Sequence, residues 1–145
     1  MEALRRGYAL LRPGGVLCVQ EPDMGYDWTS VESALWQQAR SWVLETLTAI
    51  GANPRMGLSL FAAFREAGLP DPEMYVEAGA GGGAKAPVFG WSNVVEGMVP
   101  LMERLGIATA AEVEPATLQD RLRAEVERQN GTVVSPCLYA AWTRK

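Results

Sequence analysis

Residues 10–23 read LLRPGGVLCVQEPD, and this run limits more than any other what the chain can build. Pro13 cannot continue a helix, and Gly14 and Gly15 supply the tight turn that follows. Upstream, Ala3, Leu4, Gly7, Tyr8 and Leu11 fall on one face of a helix. Downstream, residues 16–19 are continuously apolar with β-branched ends, which suits a strand covered on both faces, as in a parallel sheet. Glu21 and Asp23 then stand just past the strand's carboxyl end. A helix, a turn, a buried strand and an acidic loop make the middle of an α/β unit.

Composition narrows the setting. The 145 residues are 48% hydrophobic and 21% charged, so one domain with a real core is expected over residues 1–145, and disorder is not. The net charge is −4 and no long basic run occurs, which argues against a nucleic-acid partner. No apolar stretch approaches the roughly 20 residues of a membrane span. The N-terminus reads as an amphipathic helix rather than a signal peptide, so a cytoplasmic protein is expected. The chain has no histidine, the commonest general base and metal ligand, and no Cys/His metal spacing, so no metal is expected. Cys18 and Cys137 both sit in apolar, strand-like contexts, which suits buried thiols and leaves a disulfide open.

The rest of the chain alternates helix and strand signals. Thr29 and Glu32 have capping-box spacing ahead of a long helix that buries Leu35, Trp36, Ala39, Trp42, Val43, Leu47 and Ile50. Gly51 closes it. After Pro54, a short helix carries Leu60, Phe61, Phe64 and Ala67 as its stripe, with Gly68 as its cap. EMYVEA, residues 73–78, reads as a strand, and GAGGGAKAP, residues 79–87, as a flexible hinge. Ser92 can cap a helix over 93–105 that Pro100 kinks. Thr109 and Glu112 have capping-box spacing again, and Pro115 starts a helix with Leu118, Leu122 and Val126 inward. The closing CLYAAWTRK is a strand, with Trp142 expected in the core alongside Leu138 and Ala140.

Two stretches invite chemistry. Gly79, Gly81 and Ala84 match G-x-G-x-x-A after a strand, but Pro87 would break the helix such a loop must open, and Lys85 is not followed by Ser or Thr. The acidic loop is the better candidate, because open α/β sheets bind ligands beyond the carboxyl ends of their strands. Glu21 and Asp23 are the candidate acid–base residues, or else members of a solvated turn. Tyr26, Trp28 and Trp91 are candidates for lining a small-molecule pocket, or else packing residues at element ends.

A family resemblance enters on three motifs. LRRGYALLRPGGVLCVQEPD resembles the helix, L-[KR]-P-G-G turn and fifth strand of class I S-adenosylmethionine-dependent methyltransferases. LSLFAAFREAGLPDPEMYVEA is similar to their next helix and sixth strand, and LYAAWTRK to their seventh. The region 88–131 resembles the helical, lid-like insertion of the small-molecule branch. The resemblance implies a partial Rossmann-like α/β fold with a three-stranded sheet ordered fifth, seventh, sixth, the last strand antiparallel and central.

The family holds S-adenosylmethionine with its first four strands, and no segment here matches them. The implied protein is therefore a truncated homologue that keeps the substrate side, binds no cofactor by itself and transfers no methyl group alone. Two alternatives stay open: a cofactor-independent small-molecule enzyme on this scaffold, and an interaction subunit that completes a partner methyltransferase. The fifth strand would lack its usual neighbour on one side. An apolar, bare edge favours association, so a homodimer is expected.

Overall fold

The computed structural model describes residues 1–26 and 29–145, with Phe89 described by its backbone alone. In chain order the elements are α1 (Glu2–Ala9), β1 (Val16–Asp23), α2 (Ala34–Ala49), α3 (Met56–Glu66), β2 (Glu73–Glu77), β3 (Ala80–Gly82), a 3-10 turn (Gly83–Lys85), α4 (Phe89–Leu105), α5 (Ala110–Val113), α6 (Pro115–Arg128), β4 (Thr132–Val134) and β5 (Cys137–Arg144). They form two compact units.

The first unit comprises Met1–Asp23, Arg55–Glu77 and Cys137–Lys145. It is an α/β unit with one open antiparallel sheet ordered β1-β5-β2, the strand order expected of the chain. β5 runs antiparallel to both neighbours, pairing Val19 with Ala141 on one side and Met74 with Ala141 on the other. Side chains alternate across a pleated strand, so the register assigns each residue a face. Leu17, Val19, Tyr139 and Ala141 pack with Leu60 and Phe64 of α3 and with Leu4 of α1. Two basic side chains tie the helices down. Arg5 donates from Nε to the Ala67 carbonyl at 3.2 Å and from Nη2 to the Glu66 carbonyl at 2.9 Å, satisfying orphan acceptors at the end of α3. Lys145 Nζ donates to the carbonyls of Ala9 and Leu11, both at 3.0 Å, and does the same for α1.

The register and the exposure of side chains correct five expectations. Trp142 is not a core residue: it is half-buried and shares its face with Leu138 and Ala140, opposite the one that α3 covers. Cys18 pairs with Trp142 on that same face and is exposed, and both cysteines are free. Residues 16–19 are therefore covered on one face rather than two, and Val16 is 44% exposed. β1 also extends through Asp23, so Glu21 and Asp23 belong to the strand and not to a loop beyond it. Phe61, expected in the stripe of α3, is exposed too.

The second unit comprises Met24–Pro54 and Ala78–Pro136. It is helical, built on a core that includes Trp36, Val43, Val95, Met102, Leu118, Leu122 and Val126. Local signals placed much of it. Thr109 and Glu112 form a reciprocal capping box on α5, and Pro115 occupies the first turn of α6. Thr109 holds the Glu112 carboxyl below the usual carboxylate range, its backbone N–H more than its hydroxyl.

Other local signals were overridden. The cap of α2 is Ser33, whose hydroxyl accepts from the Trp36 N–H, rather than Thr29. Thr29 instead bridges to Val133 and donates to the Thr132 carbonyl at 3.1 Å, while the Glu32 N–H donates to Gln129 Oε1 at 3.0 Å. Ile50 is exposed at the end of α2. α4 starts at Phe89, which places Ser92 inside the helix and buried rather than at its cap.

The glycine-rich run is not a hinge. Ala80–Gly82 forms β3, which pairs antiparallel with β4. A Cβ at Gly81 would sit 2.5 Å from the Lys85 carbonyl oxygen, and one at Gly82 would sit 2.8 Å from that of Gly131. These glycines permit close backbone packing rather than mobility.

Phe64 is fully buried against the sheet, so Phe64→Ala is expected to cost about 3–5 kcal/mol. Half-buried Trp142→Ala is expected to cost roughly half that or less. Urea denaturation of the two variants checks the order.

Candidate functional site

The carboxyl end of β1 gathers the polar groups of the first unit. Glu21 and Asp23 are two residues apart and share the face that α3 covers. Asp23 is 2% exposed, a level that a carboxylate reaches only with compensation. Part of that compensation is Arg55, at the start of α3, whose Nε lies 3.8 Å from Asp23 Oδ2. The Arg55 side chain is half in solvent while the Asp23 carboxyl is wholly shielded, so the pair runs from the surface inward.

Opposite Asp23 in the ladder stands Cys137. Burial pushes its thiol above the ordinary value, and the Asp23 charge pushes it further. The thiol therefore stays protonated and is a poor nucleophile. α3 approaches this end of the sheet through Gly57. A Cβ there would come 2.7 Å from Tyr139 Cδ2 and 2.9 Å from the Glu21 carbonyl oxygen. Glycine is what lets the helix bring Arg55 to Asp23.

The aromatic candidates belong to the second unit. Trp91 is buried and packs edge-to-face on Trp36, with ring centroids 6.5 Å apart. Its Nε1–H donates to the Val134 carbonyl at 3.3 Å. Within its unit Trp91 is a core residue. Tyr26 is 42% exposed, and Trp28 lies outside the described residues. The structure thus brings Glu21 and Asp23 onto one face, and pairs Trp91 with Trp36. Arg55 and Gly57 escaped the sequence reading, and Cys137 was legible as a buried thiol but not as a neighbour of Asp23. Arg55 sits in a break beside Pro54 with no motif, and only the register brings Cys137 opposite Asp23.

A shielded carboxylate beside a half-exposed guanidinium can hold that guanidinium toward a polar ligand that approaches from the Arg55 side. Among the described residues no cluster of His, Cys, Asp or Glu side chains is suited to hold a metal ion. No family model matches the chain, and no curated protein matches it.

Two thiols in such different settings give a clean check. At pH 8, iodoacetamide should label Cys18 readily and Cys137 only after unfolding, as mass spectrometry of partly and fully labelled protein would show. The raised pKa of Cys137 also sets a sign. Its folded value lies above the ordinary 9.0, so its contribution to stability is complete below about pH 9.0 and lost as pH rises beyond it. Cys137→Ala should flatten that alkaline loss in denaturation curves.

Proposed function

We propose that this chain is the substrate-side half of a class I methyltransferase-like fold and transfers no methyl group by itself. The observation that carries this reading is the strand order β1-β5-β2 with β5 antiparallel in the middle. That is the order which the L-R-P-G-G, R-E-A-G-L and A-W-T-R-K motifs lead one to expect of the fifth, seventh and sixth strands. On this reading residues 88–131, which belong to the helical unit, would be the counterpart of the family's substrate-covering insertion.

S-adenosylmethionine does not fit the residues present. Its adenosine half needs a strand, a glycine-rich turn and a helix opening at once. The glycine run here forms β3 and a 3-10 turn, and Gly81 lies close against the Lys85 carbonyl. Asp23 and Arg55 support a second reading, a cofactor-independent enzyme acting on a small polar molecule, with the guanidinium as anchor and the Asp23 carboxylate holding it in place. A cytoplasmic setting accords with either reading, and no described helix is long and apolar enough to cross a membrane.

We further propose a homodimer joined along β1. That strand lies at one edge of the sheet, and residues 16–20 carry no charge, so antiparallel pairing with a second copy brings no like charges together. A specific contact would bury at least about 1,000 Å².

Titration calorimetry with S-adenosylmethionine should give no binding heat for the isolated chain; micromolar affinity would overturn the first reading. Sedimentation velocity at tens of micromolar should show a dimer, and a clean monomer would remove the β1 contact.

A further inference from the structure

The other edge of the sheet is β2, and its chemistry is different. All five of its residues are exposed, with Met74 at 37%, Tyr75 at 60% and Val76 at 49%. β5 pairs it on one side, and no strand among the described residues pairs it on the other. Met74 and Val76 lie on the face that carries α3, opposite Ala141 and Tyr139. Together with Leu58 and Tyr139 they line an apolar groove of about 320 Å³. Glu73 and Glu77 lie on the opposite face, each at one end of the strand. At the rise of a strand they stand about 13 Å apart.

A second copy is a poor occupant of this edge. The antiparallel register that uses the whole of E-M-Y-V-E is centred on Tyr75. It sets Glu73 of each copy against Glu77 of the other, two like-charge pairs in one short ladder. Carboxylates at both ends guard an edge against self-pairing. The same two carboxylates favour a strand with basic residues four apart and apolar residues between them.

We propose that β2 is a docking edge for an extended peptide segment of another protein, of the pattern basic–apolar–polar–apolar–basic. The segment adds antiparallel to β2 as a fourth strand. Its main chain pairs with the open edge, its apolar side chains enter the groove beside Met74 and Val76, and its two cations face Glu73 and Glu77. This inference does not depend on the methyltransferase reading, since it uses only the β2 edge.

The test is fluorescence anisotropy with a labelled Lys-Ile-Thr-Val-Lys peptide against the full chain. The basic peptide should bind, weaken with added salt, and exceed Glu-Ile-Thr-Val-Glu by at least about tenfold. The double variant Glu73→Lys, Glu77→Lys should reverse that preference. Both positions are exposed, and the far-ultraviolet circular dichroism of the variant shows whether it is folded. The basic peptide with every amide N-methylated should lose at least about tenfold in affinity, because its main chain can no longer donate to the edge. No binding, or equal binding of both peptides to the folded double variant, would overturn the proposal. Retained affinity of the N-methylated peptide would overturn it as well, by showing charge attraction without strand addition. A homodimer that dissociates when the basic peptide is added would give the edge to a second copy instead.

Discussion

Every strand contact in the first unit's sheet passes through β5. It pairs antiparallel with β1 along Val16–Asp23 and with β2 along Glu73–Glu77, so β1 and β2 never meet and both become edges. The face of β5 that meets α3 alternates a large and a small residue, Tyr139 and Ala141. Ala141 leaves room for Leu60 and Phe64, while Tyr139 fills the space that Gly57 leaves at the start of the helix. Close packing of this kind leaves little freedom: any side chain larger than hydrogen at residue 57 pushes α3 away from the sheet. The same contact fixes Arg55 beside Asp23, so the polar site depends on how closely the helix approaches the strand.

Signals confined to a few neighbouring residues were legible in the sequence, and signals that needed a distant partner were not. The Thr109–Glu112 capping box and Pro115 at a first helical turn each complete themselves within four residues. Thr29 and Glu32 have the same spacing as Thr109 and Glu112. Their hydrogen bonds go instead to Thr132 and Gln129, and Ser33 takes the cap. The glycines at 81 and 82 look flexible as composition, but the carbonyls of Lys85 and Gly131 require them, and no local pattern shows those carbonyls. Trp142 was misread for a related reason. A period of two shows that a strand has two faces, but not which of them a helix covers.

The candidate site divides along the same line. Glu21 and Asp23 were visible as an acidic pair, though as a loop beyond the strand rather than as the end of the strand itself. Their difference was not: Asp23 is shielded, with Arg55 and Cys137 around it, whereas Glu21 is only half-buried. Burial separates two carboxylates that look alike in sequence, and it also decides against the thiol. A buried Cys137 facing an acidic neighbour holds its proton, which leaves its sulfur a poor nucleophile.

The two edges of the sheet also constrain one another. A strand has two sides, and β5 occupies one side of each edge strand, so β1 and β2 each keep a single open ladder. The β1 edge carries no charge through residues 16–20 and is apolar through 16–19, so charge does not oppose its pairing with a copy. The β2 edge ends in Glu73 and Glu77, and there charge does oppose it. A pair of chains joined through β1 forms a continuous sheet whose outer edges are both β2. Self-association then neither uses up nor blocks the acidic edge, and a dimer would present two such edges on opposite sides of one sheet. Peptide binding of one segment per chain, unchanged between monomer and dimer, is the stoichiometry that this geometry requires.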